Sequence, residues 1–264
     1  MSFFDTKYFS EELKVAIEAS MAAANIIRNY YKGSFEVSIK EDQTPVTQVD
    51  IECEQAIKKI LLSAFPEHGF FGEETALTKK EADYLWLVDP IDGTKGFVKG
   101  YPFFSTQIAL MHKGKIILGV SNGCMFEELI YAEKNKGAWF KDEKLSVSNI
   151  TKINSSSIST GNLKSLASSE GWARLGDIVK RSDRIRGYGD FYHYHLLAMG
   201  KIEAVIESDV NILDIAALSI IVEEAGGLFT DLHGNQIDLE TRSVIAANKN
   251  LHGQIQLQLS ESSV

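Results

Sequence analysis

The sequence predicts a layered mixed α/β architecture of the α+β kind, and three observations carry that prediction. Apolar residues recur at three- and four-residue spacing near both ends of the chain, which is helical spacing. Between those stretches lie short alternating runs joined by glycine turns, as in "FSTQIALMHKGKIILGVSNG". Strand and helix patterns then intermingle through the second half, the arrangement that buries helices in layers on sheets.

Taken in order, "SEELKVAIEASMAAANIIRNYYK" (10–32) sets Leu13, Ala16, Ile17, Met21, Ala24 and Ile27 on one helical stripe. Ser10 suits an N-cap and Gly33 a stop. "FEVSIKEDQTPVTQVD" reads as a short strand and an exposed loop, and a second helix spans about Thr47 to Phe65, before Pro66. "HGFFGEE" is a short strand or turn ending in acid, and "LWLVDP" a buried strand. The hairpin quoted above follows, and "LIYAEKNKGAWF" continues the strand series. The polar segment up to Ser157 marks a seam between halves of about 1–150 and 151–264 within one compact unit. "SISTGN", "DRIRGYGD" and "KIEAVIES" read as strands separated by helices. "DIAALSIIVEEAGG" is a helix with Ile215, Leu218, Val222 and Ala225 as its apolar stripe and Gly226 as its stop.

The bulk numbers narrow the function. A chain of 264 residues has length for a large core, and 44% hydrophobic with 24% charged residues is ordinary globular composition. The net charge of -9 lacks the basic face that a nucleic-acid partner needs. Two distant cysteines, Cys53 and Cys124, make no disulfide framework and read as free thiols of a reducing cytoplasm. The opening "MSFFDTKYFSEELK" lacks the pattern of a signal peptide, and no run approaches the roughly 18 apolar residues of a membrane span.

Acidic residues gather where elements end. Glu73 and Glu74 follow a glycine, Asp89 and Asp92 end the "LWLV" strand, and Asp214 opens the last helix, while Asp50 and Glu54 sit one turn apart on the second. Hard divalent cations take oxygen ligands, and Mg²⁺ uses a few carboxylates with waters and substrate phosphate. Asp89 and Asp92 can face one ion across a proline turn, with the Ile91 carbonyl between them. The stretch has no His or Cys, which favours Mg²⁺ over zinc. Gly93 and Thr94 follow, where a glycine and a helix start would form an anion cradle. Metal carboxylates beside a phosphate cradle imply metal-assisted hydrolysis of a phosphate ester. A plain turn is the other reading of "DPIDG" taken alone.

"TPVTQVDIECE" (44–54), "GEE" (72–74), "WLVDPIDGTKGF" (86–97) and "LDIAALSIIVEEAGG" (213–227) resemble, in order and spacing, blocks of the inositol monophosphatase-like phosphatases. The resemblance covers nearly the whole chain. It implies an α/β/α/β/α sandwich, a homodimer, and a Mg²⁺-dependent, lithium-sensitive phosphomonoesterase with two or three ions. It also implies Glu73, Asp89, the Ile91 carbonyl, Asp92 and Asp214 as metal ligands, and Gly93 and Thr94 as the phosphate-binding backbone. Thr94 with Asp50, together with Glu73, matches the group that activates water. One departure is Leu213, where the family usually carries Trp.

"GYGDFYHY" puts Asp190 where inositol monophosphatases usually have a small residue, and with "DGTKGFVKG" it resembles the histidinol-phosphatase branch. Asp190 could pair with the amine or imidazole of histidinol phosphate, or cap a helix starting at Phe191. Glu207 matches the family's substrate-contacting glutamate, and Arg186 is a further candidate for substrate or for a structural partner. His193 and His195 read as helix faces rather than metal ligands. The alternatives are inositol 1-phosphate, 3′-phosphoadenosine 5′-phosphate, and a regulatory member of the fold that binds a protein.

Overall fold

The computed structural model describes residues 8–39, 45–75, 77–79 and 81–260. Helix α1 (Glu11–Tyr30) and helix α2 (Gln48–Ala64) are separated in sequence by an antiparallel ribbon, β1 (Val37–Ile39) and β2 (Pro45–Thr47). Ser10 caps α1 by accepting from the Leu13 N–H, as its position predicts. Two details differ from expectation. Met21 is 53% exposed, because the buried stripe runs through the smaller Ser20, Ala23 and Ala24. The helix ends at Tyr30 rather than at Gly33, because Lys32 already turns into left-handed backbone with φ 61°. Most of the predicted exposed loop, residues 40–44, lies outside the described residues.

A seven-stranded sheet follows in simple sequence order: β3 (Gly69–Gly72), β4 (Tyr84–Asp92), β5 (Ser105–His112), β6 (Lys115–Gly123), β7 (Glu128–Glu133), β8 (Gly137–Phe140) and β9 (Glu143–Lys144). Only β3 and β4 pair in parallel. A short helix, α3 (Thr94–Lys99), leaves the end of β4. The second half supplies β10 (Ser157–Thr160), α4 (Lys164–Ala167), α5 (Gly171–Arg181), β11 (Arg184–Arg186), α6 (Asp190–Ala198) and β12 (Ala204–Ser208). Then come α7 (Ile212–Glu224), β13 (Gly227–Thr230), β14 (Ser243–Asn248) and α8 (His252–Ser260). Its five strands lie in the order β11-β10-β12-β14-β13.

Strand alternation builds the layers. Along β4, Trp86 and Val88 face one way, packing with Leu13, Ile57 and Leu61 of α1 and α2. Leu85 and Leu87 face the other way, packing with Leu213, Ala217 and Val222 of α7 and with Val205 and Val244 of the second sheet. That sheet's far face, Ala204, Ile206 and Ile245, is covered by Ile178 of α5 and Ile255 of α8. The result is the α/β/α/β/α sandwich. Helix α7 lies between two sheets, so Ala216, Ala217, Ile220 and Ile221 are buried along with the predicted stripe.

Candidate active site

The carboxylates converge because of how each element ends. Residues three apart on a regular strand face opposite sides. Asp89 pairs with Gln107 and Asp92 with Ser105, so β4 spends three residues where β5 spends two, and a bulge lies between the aspartates. That extra residue turns both side chains to one side. The Asp89 carboxylate also accepts from the Ile91 N–H at 3.0 Å. Gly93, with φ 90°, carries the chain from β4 into α3, and a Cβ there would lie 2.6 Å from the Phe103 carbonyl.

Asp50 and Asp214 reach the same place by another device. Each is the third residue of its helix and closes a capping box, with Thr47 on α2 and Asn211 on α7. The Thr47 N–H donates to Asp50 at 2.7 Å, and the Asn211 N–H donates to Asp214 at 3.0 Å. Thr94, at the first position of α3, brings its hydroxyl to 3.2 Å from Asp50 and 3.0 Å from the Ile91 carbonyl. The turn bearing Glu73 is tied to α2, where the buried Glu54 accepts from the Glu74 N–H at 2.7 Å. Gly72 is required beside it, since a Cβ would sit 2.5 Å from the Glu54 carboxylate.

Ligand oxygens of Asp89, Asp92 and Asp214 all lie within 4.8 Å of one another. Burial, then repulsion from Glu73, Asp92 and Asp214, pushes Asp89 well above the usual carboxylate range. Burial and repulsion from Asp214, Asp190, Glu207 and Glu73 do the same to Asp92. Asp214 is pushed up to about 7, mainly by burial, against its bonds to Asn211. Burial also raises Asp50, with Glu73 adding to it and the Thr47 bonds opposing. Among the described residues, no salt bridge joins Asp89, Asp92 or Asp214 to Lys or Arg. Crowded oxygen donors, Asp89 buried and Asp92 and Asp214 half-buried, without a protein cation fit a hard divalent ion such as Mg²⁺.

A second acidic pair lies in electrostatic reach of Asp92. Glu207, on β12, accepts from the Tyr194 hydroxyl at 2.8 Å and the Asn162 N–H at 3.0 Å, with His193 Nε2 at 3.2 Å. Burial opposes its ionisation, but His193 and these bonds hold Glu207 below the usual carboxylate range. Asp190 opens α6 with φ 45° and its side chain reaches solvent, but the protein packed around it desolvates the carboxyl in part and raises it above the usual range, against the pull of His193. It is not the helix cap: Gly189 holds that position, and no side chain caps α6. His193 and His195 are fully buried on α6, away from solvent, as the helix-face reading expects. Leu213, standing where the family usually has Trp, is buried in the core between the sheets.

Arg186 is not gathered with this group. It is exposed on β11, donates to the Ile185 carbonyl at 2.7 Å, and borders a separate cavity of about 440 Å³ with Trp172 and Gly187. The sequence reading missed the roles of Thr47, Asn211, Tyr194 and Asn162, each of which bonds to an acidic side chain, and noted Glu54 only as a carboxylate one turn from Asp50. Two of them had a signal, because Thr47-x-x-Asp50 and Asn211-x-x-Asp214 are capping-box spacings.

Comparison with known proteins agrees with this fold. The chain matches the inositol monophosphatase family over residues 9–263. It is 36% identical over 231 residues to a protein of Arabidopsis thaliana named bifunctional phosphatase IMPL2, chloroplastic, covering 86% of this chain and 66% of that one. It is 32% identical over 238 residues to a histidinol-phosphatase of Chlorobaculum parvum, covering 90% of this chain and 92% of the other. Among solved structures, extragenic suppressor protein suhB from Bartonella henselae matches with a TM-score of 0.88 and 30% identity, over 96% of this chain and 100% of that one. No described helix is long and apolar enough to cross a membrane. With fold, acidic cluster and kinship in agreement, the chain belongs to the inositol monophosphatase family, and its activity is that of a phosphoric monoester hydrolase.

Proposed function

We propose that the protein hydrolyses L-histidinol phosphate to L-histidinol and phosphate, with Mg²⁺ as cofactor. The observation that carries the substrate is the pair Asp190 and Glu207, two carboxylates beside the metal carboxylates and suited to a cationic amine or imidazole. The similarity to a protein named histidinol-phosphatase supports the same reading.

Glu73, Asp89, the Ile91 carbonyl, Asp92 and Asp214 are the proposed ligands of two or three Mg²⁺ ions. Bound there, the ions supply charge neutralisation for the phosphate and make nearby water more acidic. Gly93 and Thr94 are the proposed cradle for the phosphate oxygens, through N–H groups that have no acceptor inside the helix. The Thr94 hydroxyl donates to Asp50, so its lone pairs stay free to accept from the attacking water. Glu73, together with that pair, holds the water in line with phosphorus. The water oxygen forms the new bond to phosphorus, the ester P–O bond breaks, and the departing alkoxide takes up a proton. Positioning and electrostatics account for most of the acceleration. Metal end and substrate end are read as halves of one unit, about 1–150 and 151–264, which acts as a homodimer in the cytoplasm.

The test is phosphate release from histidinol phosphate, myo-inositol 1-phosphate and 3′-phosphoadenosine 5′-phosphate, side by side, with Mg²⁺ and with chelator. Preference for histidinol phosphate that disappears with chelator is the expected result. Preference for inositol phosphate would keep the metal chemistry and overturn the role given to Asp190.

A further inference from the structure

Asp92 is held differently from its neighbours. Asp50, Asp89 and Asp214 each accept a backbone N–H from a residue within three positions of themselves. Asp92 instead accepts from the side chain of Ser105, on the adjacent strand, at 3.4 Å. Behind Ser105 runs a continuous series of buried polar side chains. Gln107 Nε2 lies 2.7 Å from Ser105 Oγ and 3.0 Å from Ser121 Oγ. Ser121 Oγ lies 2.8 Å from His195 Nε2, and His195 Nδ1 lies 3.0 Å from Glu128. Ser105, Gln107, Ser121 and His195 are all fully buried.

The donors admit one consistent order. Ser105 has one proton, and giving it to Asp92 obliges its oxygen to accept from the Gln107 amide. The second amide hydrogen goes to Ser121, whose own proton is then free for His195 Nε2. The imidazole carries its proton on Nδ1 and donates it to the Glu128 carboxylate. Rotating the amide of Gln107 by half a turn would give the two serines a carbonyl in place of their donor, and no proton would remain for both Asp92 and the amide. Among the described residues the Gln107 Oε1 atom has no partner, the cost of keeping its two N–H groups on the serines.

We propose that Ser105, Gln107, Ser121 and His195 form a buried strut, fixed at its far end to Glu128, that aims the Asp92 carboxylate at Mg²⁺, with Gln107 as its central positioning residue. This rests on Asp92 being a metal ligand, as set out above. The strut crosses from β5 through β6 to α6, the helix that begins with Asp190. It gives Asp92 the fixed orientation that the other carboxylates obtain from their own turns, and partners of this kind behind a ligand set its affinity for metal.

The experiment is a calorimetric titration of the metal-stripped full chain with Mg²⁺, alongside its thermal unfolding without metal. Gln107→Met fills the same space without donors, and Ser105→Ala removes the last link with little change of volume. Both are expected to weaken Mg²⁺ binding by about tenfold, the size of effect seen when partners behind a ligand are removed. Combining them should weaken it no further than the stronger single change, since either one breaks the same series. Asp92→Asn is the reference, expected to weaken binding more than both. If Asp92→Asn binds Mg²⁺ like the wild type, the ligand reading itself is wrong. If Asp92→Asn weakens binding while Gln107→Met and Ser105→Ala lower only the melting temperature, the side chains are merely structural and the strut is overturned.

Discussion

Thr94 and Asp50 are 44 positions apart in sequence, and their side chains meet at 3.2 Å. Asp50 already has a Thr47 N–H on its other oxygen, so the carboxylate is fixed when the Thr94 hydroxyl reaches it. Helix α2 thereby sets the direction of a hydroxyl at the start of α3. Thr94→Ala and Asp50→Asn should therefore lower kcat by about 10²–10⁴, the usual range for a group that handles a proton. Mg²⁺ affinity should change little, because neither side chain is a proposed ligand. Steady-state kinetics with a parallel metal titration tests this, and an unchanged kcat in Thr94→Ala would refute it.

The acidic pair makes a prediction about substrate choice. Asp190→Ser should raise KM for histidinol phosphate by roughly tenfold or more, as loss of a charge-assisted contact of about 1.5–3 kcal/mol would. Turnover of inositol 1-phosphate should fall little or improve. Equal effects on both esters would mean that Asp190 contributes to the fold and not to recognition.

Metal binding should depend on pH with a definite sign. In the metal-free protein Asp214 titrates at about 7, raised mainly by burial from its usual 3.8. A carboxylate raised by folding is stabilising to the fold when protonated, so the metal-free protein loses that stability as pH climbs from the unfolded value through the folded one. Mg²⁺ displaces the proton, so its binding strengthens over the same interval. The rise in melting temperature on adding Mg²⁺ should be larger at about pH 8 than at about pH 5.5. A pH-independent rise would contradict the assignment of these carboxylates.

The capping boxes link stability to the site. Asn211→Ala removes the acceptor for the Leu213 N–H and the side-chain donor to Asp214. It should cost about 1 kcal/mol of stability, typical of a lost N-cap, and weaken Mg²⁺ binding as well. A melting temperature equal to wild type would show that the cap is replaced by solvent.

Much of this architecture is legible in the sequence. Periodicity located α1, α2 and α7, and turn chemistry located the β5–β6 hairpin. The aspartates at element ends pointed to the cluster, since each lies where a cap or a bulge turns it inward. What escaped had no local pattern. Ser105, Gln107 and His195 are ordinary residues of strand and helix, and their partners come from other elements. The all-round burial of α7 depends on the second sheet lying over it, which no window of sequence contains. Met21 failed the stripe for the opposite reason, because small residues beside it allow close helix packing and leave the larger side chain outside.

Asp89, Asp92 and Asp214 are the proposed joint holders of the Mg²⁺ on which hydrolysis depends. The most direct measurement is phosphate release by the wild type and by Asp92→Asn across a Mg²⁺ titration, with circular dichroism to confirm folding. The account predicts a folded variant whose activity is lower by about 10³ or more and is not restored by excess Mg²⁺, in keeping with the weight that metal-ligand electrostatics carries in phosphoryl transfer. A folded Asp92→Asn protein with wild-type turnover at the same Mg²⁺ concentration would contradict it.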